Sequence, residues 1–243
     1  MPSTPDEWIG YEARYAEAAR AAGAPAPRLL GIERIDGRTA SVWERLEGTS
    51  MWQLVVDRPG QGPALGRLLA DVQAELFALV PPVTLPRQRD RLVSKIRRTA
   101  TMVDPSLGAA LELMPPPVAD LRLCHGDLHP SNVILGRDGP MLVDWFDASR
   151  GDRVADIARS LLTLLGDGAR PPRHLPGSDH ATLGALTGAY VDRLREHVDL
   201  DDDLLARWQA VGAVARIAEG VARRPLLDVW TRYVAGGDLQ GAG

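Results

Sequence analysis

The chain has 243 residues, 45% of them hydrophobic and 25% charged, with a formal net charge of −4. That is enough apolar material for one large core or for two lobes around a cleft, and the acidic balance excludes a general nucleic-acid binder, which needs surplus basic charge to meet phosphates. No run approaches the ~18 consecutive apolar residues of a membrane span, the N-terminus lacks the basic-then-apolar pattern of a signal peptide, and the single Cys124 allows neither an internal disulfide nor a cysteine-based metal site, so a cytoplasmic chain is expected.

Residues 1–9 are polar and Pro-rich and read as a loose arm. A helix is expected from Glu12 to Ala22, stopped by Gly23 and Pro25. Leu29–Glu33 and Thr39–Glu44 read as two strands joined by a turn over Ile35–Arg38, and Glu47-Gly48-Thr49 reads as a hinge. From Gln61 to Leu79 the leucines and Val72 recur at helical spacing. A further amphipathic helix is expected over Arg89–Met102 and a shorter one over Leu107–Met114. Leu121–Cys124 is an apolar run leading into a polar loop. Val133–Leu135 and Met141–Val143 form a hairpin around Gly136–Gly139. Beyond Asp156 the pattern is helical with Pro- and Gly-rich connectors, and Gly236–Gly243 reads as a frayed tail.

The chemistry concentrates in His125-Gly126-Asp127-Leu128-His129-Pro130-Ser131-Asn132, followed after the hairpin by Val143-Asp144-Trp145. On a tight loop Asp127 and Asn132 can face one cleft, the first to accept a hydroxyl proton and the second to offer its side-chain carbonyl oxygen to Mg²⁺. Asp144, brought alongside by the hairpin, adds the hard anionic oxygen that Mg²⁺ prefers. Phosphoryl transfer needs little more than an oriented nucleophile and metal charge on the polyphosphate. Several neighbours admit plainer readings. His125 reads as a loop brace, Asp147 as a surface carboxylate and Cys124 as a small buried residue. Asp156 holds the catalytic loop or caps the next helix. Trp208 and Trp230 sit in helical patterns and read as core. The acidic run Asp199–Asp203 could attract a cationic acceptor, but reads better as a solvated loop ending in a helix N-cap.

At these residues the sequence resembles the aminoglycoside phosphotransferase and choline-kinase-like branch of the protein-kinase-like superfamily. The eight-residue loop is similar to that family's catalytic loop and Val143-Asp144-Trp145 to its metal-binding segment. Gly151-Asp152 with Ala155-Asp156-Ile157-Ala158 is similar to its continuation, and Val42–Gly48 to the strand whose backbone holds adenine. The resemblance implies Asp127 as the catalytic base, Asn132 and Asp144 as metal ligands, and the main chain of Glu44, Arg45 and Leu46 as the adenine contact. It implies ATP and Mg²⁺ as cofactors, and an α+β, two-lobed protein-kinase-like fold. A reduced N-terminal lobe would cover residues 1–48 and a mainly helical C-terminal lobe residues 49–243.

One departure stands out. Family members carry a glycine-rich strand–turn–strand and a strand lysine ahead of the first helix, the lysine pairing with a glutamate on that helix. Neither lies before Glu12 here, and Lys95, the only lysine, falls in a downstream helix. The phosphates would then be held by Mg²⁺ with arginines such as Arg14, Arg28 or Arg45, or the site would be completed by a protein partner. The expected activity is transfer of the ATP γ-phosphoryl group to a hydroxyl of a small, aminoglycoside-like molecule or of a peptide Ser/Thr. The alternative is a weakly active partner subunit that binds nucleotide or peptide. Neither a nucleic-acid nor a membrane partner is expected.

Overall fold

The computed structural model describes residues 6–164, 180–221 and 223–240. Its first element, helix α1 (Asp6–Ala21), begins earlier than the expected Glu12, so residues 6–9 are helical turns and not a loose arm. Ala13, Ala16 and Ala19 recur at i, i+3 and i+6 and are buried, which lets the helix lie flush against the strands that follow. The helix ends where Gly23 takes a φ of 98°, a conformation a side chain would strain.

Strands β1 (Leu29–Ile35) and β2 (Arg38–Trp43) form an antiparallel pair as expected. Asp36 and Gly37 both have positive φ, 50° and 76°, the turn whose twist matches a hairpin. The segment expected as a hinge is instead β3 (Gly48–Ser50), which pairs with β5 (Val133–Gly136). β5 pairs in turn with β6 (Gly139–Leu142), giving a three-stranded sheet in the order β3-β5-β6. The lobe boundary expected at residue 48 thus falls at the start of a strand that stitches the early chain to the catalytic hairpin.

Helix α2 (Met51–Asp57) carries too short a pattern to be read from sequence; the Ser50 hydroxyl caps it by accepting from the Gln53 N–H, and Met51, Trp52 and Val55 anchor it. Helices α3 (Gly62–Ala78) and α4 (Gln88–Met102) match their expectations within a residue or so. A 3₁₀ stretch over Pro105–Leu111 replaces the expected helix at 107–114. Strand β4 (Arg122–Cys124) pairs with the unanticipated β7 (Ser149–Gly151), closing the two ends of the catalytic segment on each other.

The rest is helical among the described residues: α5 (Arg153–Leu164), α6 (His180–His197), α7 (Asp202–Ile217) and α8 (Arg223–Gln240). The expected frayed tail is corrected over residues 236–240, which continue α8; residues 241–243, and the Pro- and Gly-rich connector at 165–179, lie outside the described residues. α3 packs so closely on α6 that a Cβ at Gly66 would stand 2.2 Å from the Leu186 carbonyl oxygen. The fold is α+β, with small sheets at the N-terminal side and a mainly helical remainder. No described helix is long and apolar enough to cross a membrane.

Candidate active site

The loop His125–Asn132 leaves β4 and is held from three sides. Gly126 has a φ of 81°, and a Cβ there would lie 2.2 Å from the Asp147 carbonyl oxygen, so only glycine fits this turn. Its N–H donates to Asp156 Oδ1 on α5 at 2.9 Å. Asp156 Oδ2 accepts from Gln73 Nε2 of α3 at 2.9 Å, and Gln73 Oε1 accepts from the Tyr190 hydroxyl of α6. Three helices therefore fix one backbone amide through a buried polar chain. Burial pushes the Asp156 carboxyl up to about 6 despite the hydrogen bonds it accepts. Of the two roles considered for Asp156, holding the loop is the one the geometry bears out.

His125 is fully buried. Its Nε2 lies 3.1 Å from the Val143 carbonyl oxygen and its Nδ1 accepts from the Asp127 N–H at 3.4 Å. That pattern assigns the neutral ring with its proton on Nε2, and burial lowers its pKa to about 4. It braces the loop, as expected.

The predicted residues come together. Asn132, buried, donates from its Nδ2 to the Asp127 carbonyl oxygen at 3.0 Å, which orients its Oδ1 as the atom of the amide that can accept a hydrogen bond or ligate a cation. Asp144 sits in the left-handed region at φ 65°, a placement enforced by the turn out of β6, where Val143 N–H donates to the Asn132 carbonyl at 3.0 Å. Asp144 shares a cleft with Trp43, Glu44, Leu46, Pro27 and Glu12. Glu44 and Leu46 are thus on the same cleft as Asp144, whereas Arg45 is exposed and does not line it. The Glu44 N–H is already spent on the Arg28 carbonyl at 2.9 Å, and its carboxylate accepts from the Arg28 N–H at 2.7 Å. Neither Arg14 nor Arg28 lines the cleft, and Arg14 lies over the Tyr11 ring.

Burial raises the carboxyls of both Glu12 and Asp144; Asp144 adds to the effect at Glu12, and Asp127 and Asp147 add to it at Asp144. Glu12, on the first helix, shares this cleft with Asp144, and there is no cation among the cleft-lining side chains. Among the described residues no three His, Cys, Asp or Glu side chains gather into a metal site by themselves, so a divalent ion here would also need an amide or phosphate oxygen.

On the other side of the loop the charge reverses. Burial works to raise the Asp127 carboxyl, but the Arg159 guanidinium, a hydrogen bond from His129 and the Arg216 charge outweigh it and hold it well below the usual carboxylate range. Arg159 donates Nη2 to Asp127 Oδ1 at 3.0 Å, Nη1 to Glu219 Oε2 at 2.8 Å and Nε to the Gly126 carbonyl at 2.9 Å. Asp147 is not the surface carboxylate expected: Arg91 at 2.8 Å, Lys95 at 2.9 Å and Arg159 at 3.6 Å surround it. Lys95 also donates to Glu219 at 2.7 Å, so it is committed to this network and does not line the Asp144 cleft. Arg159 was legible in principle, since it follows Asp156 by three residues and so shares its helix face. Arg216 and Glu219 carry no sequence signal, being distant in the chain.

The acidic run is distant from this site. Asp201 caps α7 by accepting from the Leu204 N–H at 2.6 Å, about 21 Å along that helix from Arg216. Cys124 and Trp208 are buried as expected, Trp230 packs partly buried against the core, and Trp43 lines the cleft.

The sequence matches the phosphotransferase enzyme family (APH) over residues 2–197. Similar solved structures include an aminoglycoside-3'-phosphotransferase of type VIII, 20% identical, with a TM-score of 0.64 over 86% of this chain and 80% of that one. A thermostable mutant of aminoglycoside phosphotransferase APH(4)-Ia, in ternary complex with ADP and hygromycin B, is 17% identical with a TM-score of 0.61 over 97% and 84%. An ethanolamine kinase of Plasmodium vivax is 12% identical with a TM-score of 0.56 over 92% and 68%. No curated protein matches the sequence.

Proposed function

The chain belongs to the phosphotransferase enzyme family, and from that membership we propose that it transfers the γ-phosphoryl group of ATP to a hydroxyl of a small-molecule acceptor, with Asp127, Asn132 and Asp144 at the centre. The observation that carries the reading is the shared cleft of Trp43, Glu44, Leu46 and Asp144, which puts the strand end proposed for adenine and the carboxylate proposed for the metal on one cavity. A structural relative with ADP and hygromycin B, and another with AMP-PNP, Ca²⁺ and its substrate, support nucleotide and divalent ion in such a fold.

Adenine would be held by the main chain at Leu46, the Glu44 N–H being already engaged and Arg45 lying off the cleft. Asn132 Oδ1 and Asp144 would hold Mg²⁺, whose charge neutralises the β- and γ-phosphates when bound. Asp127 orients the acceptor hydroxyl. Held by Arg159, its carboxylate is too weak a base to strip the hydroxyl early, so it takes the proton late, as the new O–P bond forms and ADP departs. Arg159 positions Asp127 and does not touch the nucleotide. ADP release with Mg²⁺-ATP and a panel of hydroxyl acceptors is the test: turnover that depends on an added acceptor, and that Asp127→Asn removes, is expected. Nucleotide binding without turnover for any acceptor would favour the partner-subunit reading instead.

A further inference from the structure

Arg216, one residue before the end of α7, has no role in the reading above, yet it is 6% exposed and its Nη1 is buried without a hydrogen-bond partner. The nearest carboxylate oxygen is Asp127 Oδ1, at 3.9 Å. The other cations here are spoken for: Arg91 by Asp147, Lys95 by Asp147 and Glu219, Arg159 by Asp127 and Glu219. Arg91, Lys95 and Arg159 each hold a carboxylate oxygen of Asp127, Asp147 or Glu219 within 3.0 Å, whereas the closest ion pair of Arg216 is at 3.9 Å. A buried guanidinium with an unmet N–H is costly unless something anionic meets it.

The underpaired guanidinium lies on the Asp127 side of the loop: Arg216 Nη1 is 3.9 Å from Asp127 Oδ1, and Arg216 does not line the cleft that Asp144 lines. A polycation approaching Asp127 would meet Arg159 and Arg216 with every nearby carboxylate already paired.

We propose that Arg216 anchors an anionic group, a carboxylate or a phosphate, carried by the acceptor near the hydroxyl that is phosphorylated, so that this chain takes anionic hydroxyl compounds and not polycationic ones. The proposal rests on the placement of Asp127 at the acceptor hydroxyl. Burial, reinforced by Arg159, lowers the Arg216 pKa to about 10, which leaves it charged at neutral pH.

Calorimetric titration of the full chain, with and without Mg²⁺-AMP-PNP, with inorganic phosphate, glycerate, glycerol and kanamycin tests this. Phosphate and glycerate are expected to bind in both states, Arg216→Gln and the volume-conserving Arg216→Met to weaken them at least tenfold, and glycerol and kanamycin to bind at least tenfold more weakly. Wild-type chain that binds neither anion, anion binding untouched by both folded variants, or kanamycin binding tighter than glycerate overturns the proposal. So does competition between AMP-PNP and the anions, which would move Arg216 to the nucleotide side. Anion binding at Arg216 in a chain without ATP turnover would sink the phosphotransferase reading alone; turnover without anion binding would sink this proposal alone.

Discussion

Asp144 and Asp147 are three residues apart and chemically identical, yet their surroundings give them opposite tasks. At Asp144 burial and the like charges of Asp127 and Asp147 outweigh the help of His129 and the Phe146 N–H, whereas Asp147 sits among Arg91, Lys95 and Arg159. Asp144→Ala is therefore expected to abolish turnover and weaken Mg²⁺-nucleotide binding with little change in melting temperature. Asp147→Ala is expected to act on stability, since removing one member of a buried ion cluster strands its partners at about 3 kcal/mol or more. Thermal melting and nucleotide titration of the two variants separate the cases, and a stable Asp147→Ala protein that has lost Mg²⁺ binding would reverse the assignment. With the proposed role of Asp127 in the transition state, Asp127→Asn should lower kcat by at least about 100-fold with nucleotide affinity nearly unchanged; single-turnover kinetics and calorimetry check both halves.

At the scale of elements, α3, α5 and α6 meet the catalytic loop through Tyr190, Gln73 and Asp156. The Asp156 carboxyl, pushed up to about 6 by burial, holds its proton more tightly folded than unfolded. Its contribution to stability is thus full below about pH 4 and is lost as pH rises through about 6. Asp156→Asn should remove that decline, a differential of at most about 3 kcal/mol, visible in urea unfolding of both proteins at pH 4.5 and 7. Identical pH slopes for wild type and variant would show that the carboxyl is not perturbed. The α3–α6 seam offers a purely steric case. Gly66→Ala places a methyl group against the Leu186 carbonyl, and the helices must part at a cost of about 1–3 kcal/mol, with kcat falling only through stability.

For the whole molecule, the question is what holds the phosphates. Lys95 is committed to Asp147 and Glu219, and Arg14, Arg28 and Arg45 do not line the nucleotide cleft. No cation lines that cleft to give the phosphates a charge-assisted hydrogen bond, each of which is worth about 1.5–3 kcal/mol. Weak Mg²⁺-ATP binding by this chain is therefore expected. An acceptor or protein that covers the phosphate region should tighten it, with ATP tightening that partner reciprocally. Sub-micromolar binding of Mg²⁺-ATP by the chain alone, read by calorimetry, would show that other groups already compensate.

The long helices and the β1–β2 hairpin were legible in the sequence, which also marked Asp127, Asn132 and Asp144 as the set proposed here for the site. Periodic burial and positive-φ turns are written locally, and a loop that must place several donors within a few residues leaves a contiguous motif. The three-residue strands β3 and β7 were not legible, because each exists only through a partner far along the chain. The reach of α1 toward Asp6 was hidden by its polar start. The charges around Asp127 needed the fold most of all. Arg91 and Lys95 come from α4, Arg159 from α5, and Arg216 with Glu219 from the end of α7. Sequence alone set which residue types were available for phosphoryl transfer. Only the packing of these helices decided which carboxylate is paired, which faces the cleft and which guanidinium is left over, because electrostatic pairing depends on distances that sequence separation does not encode.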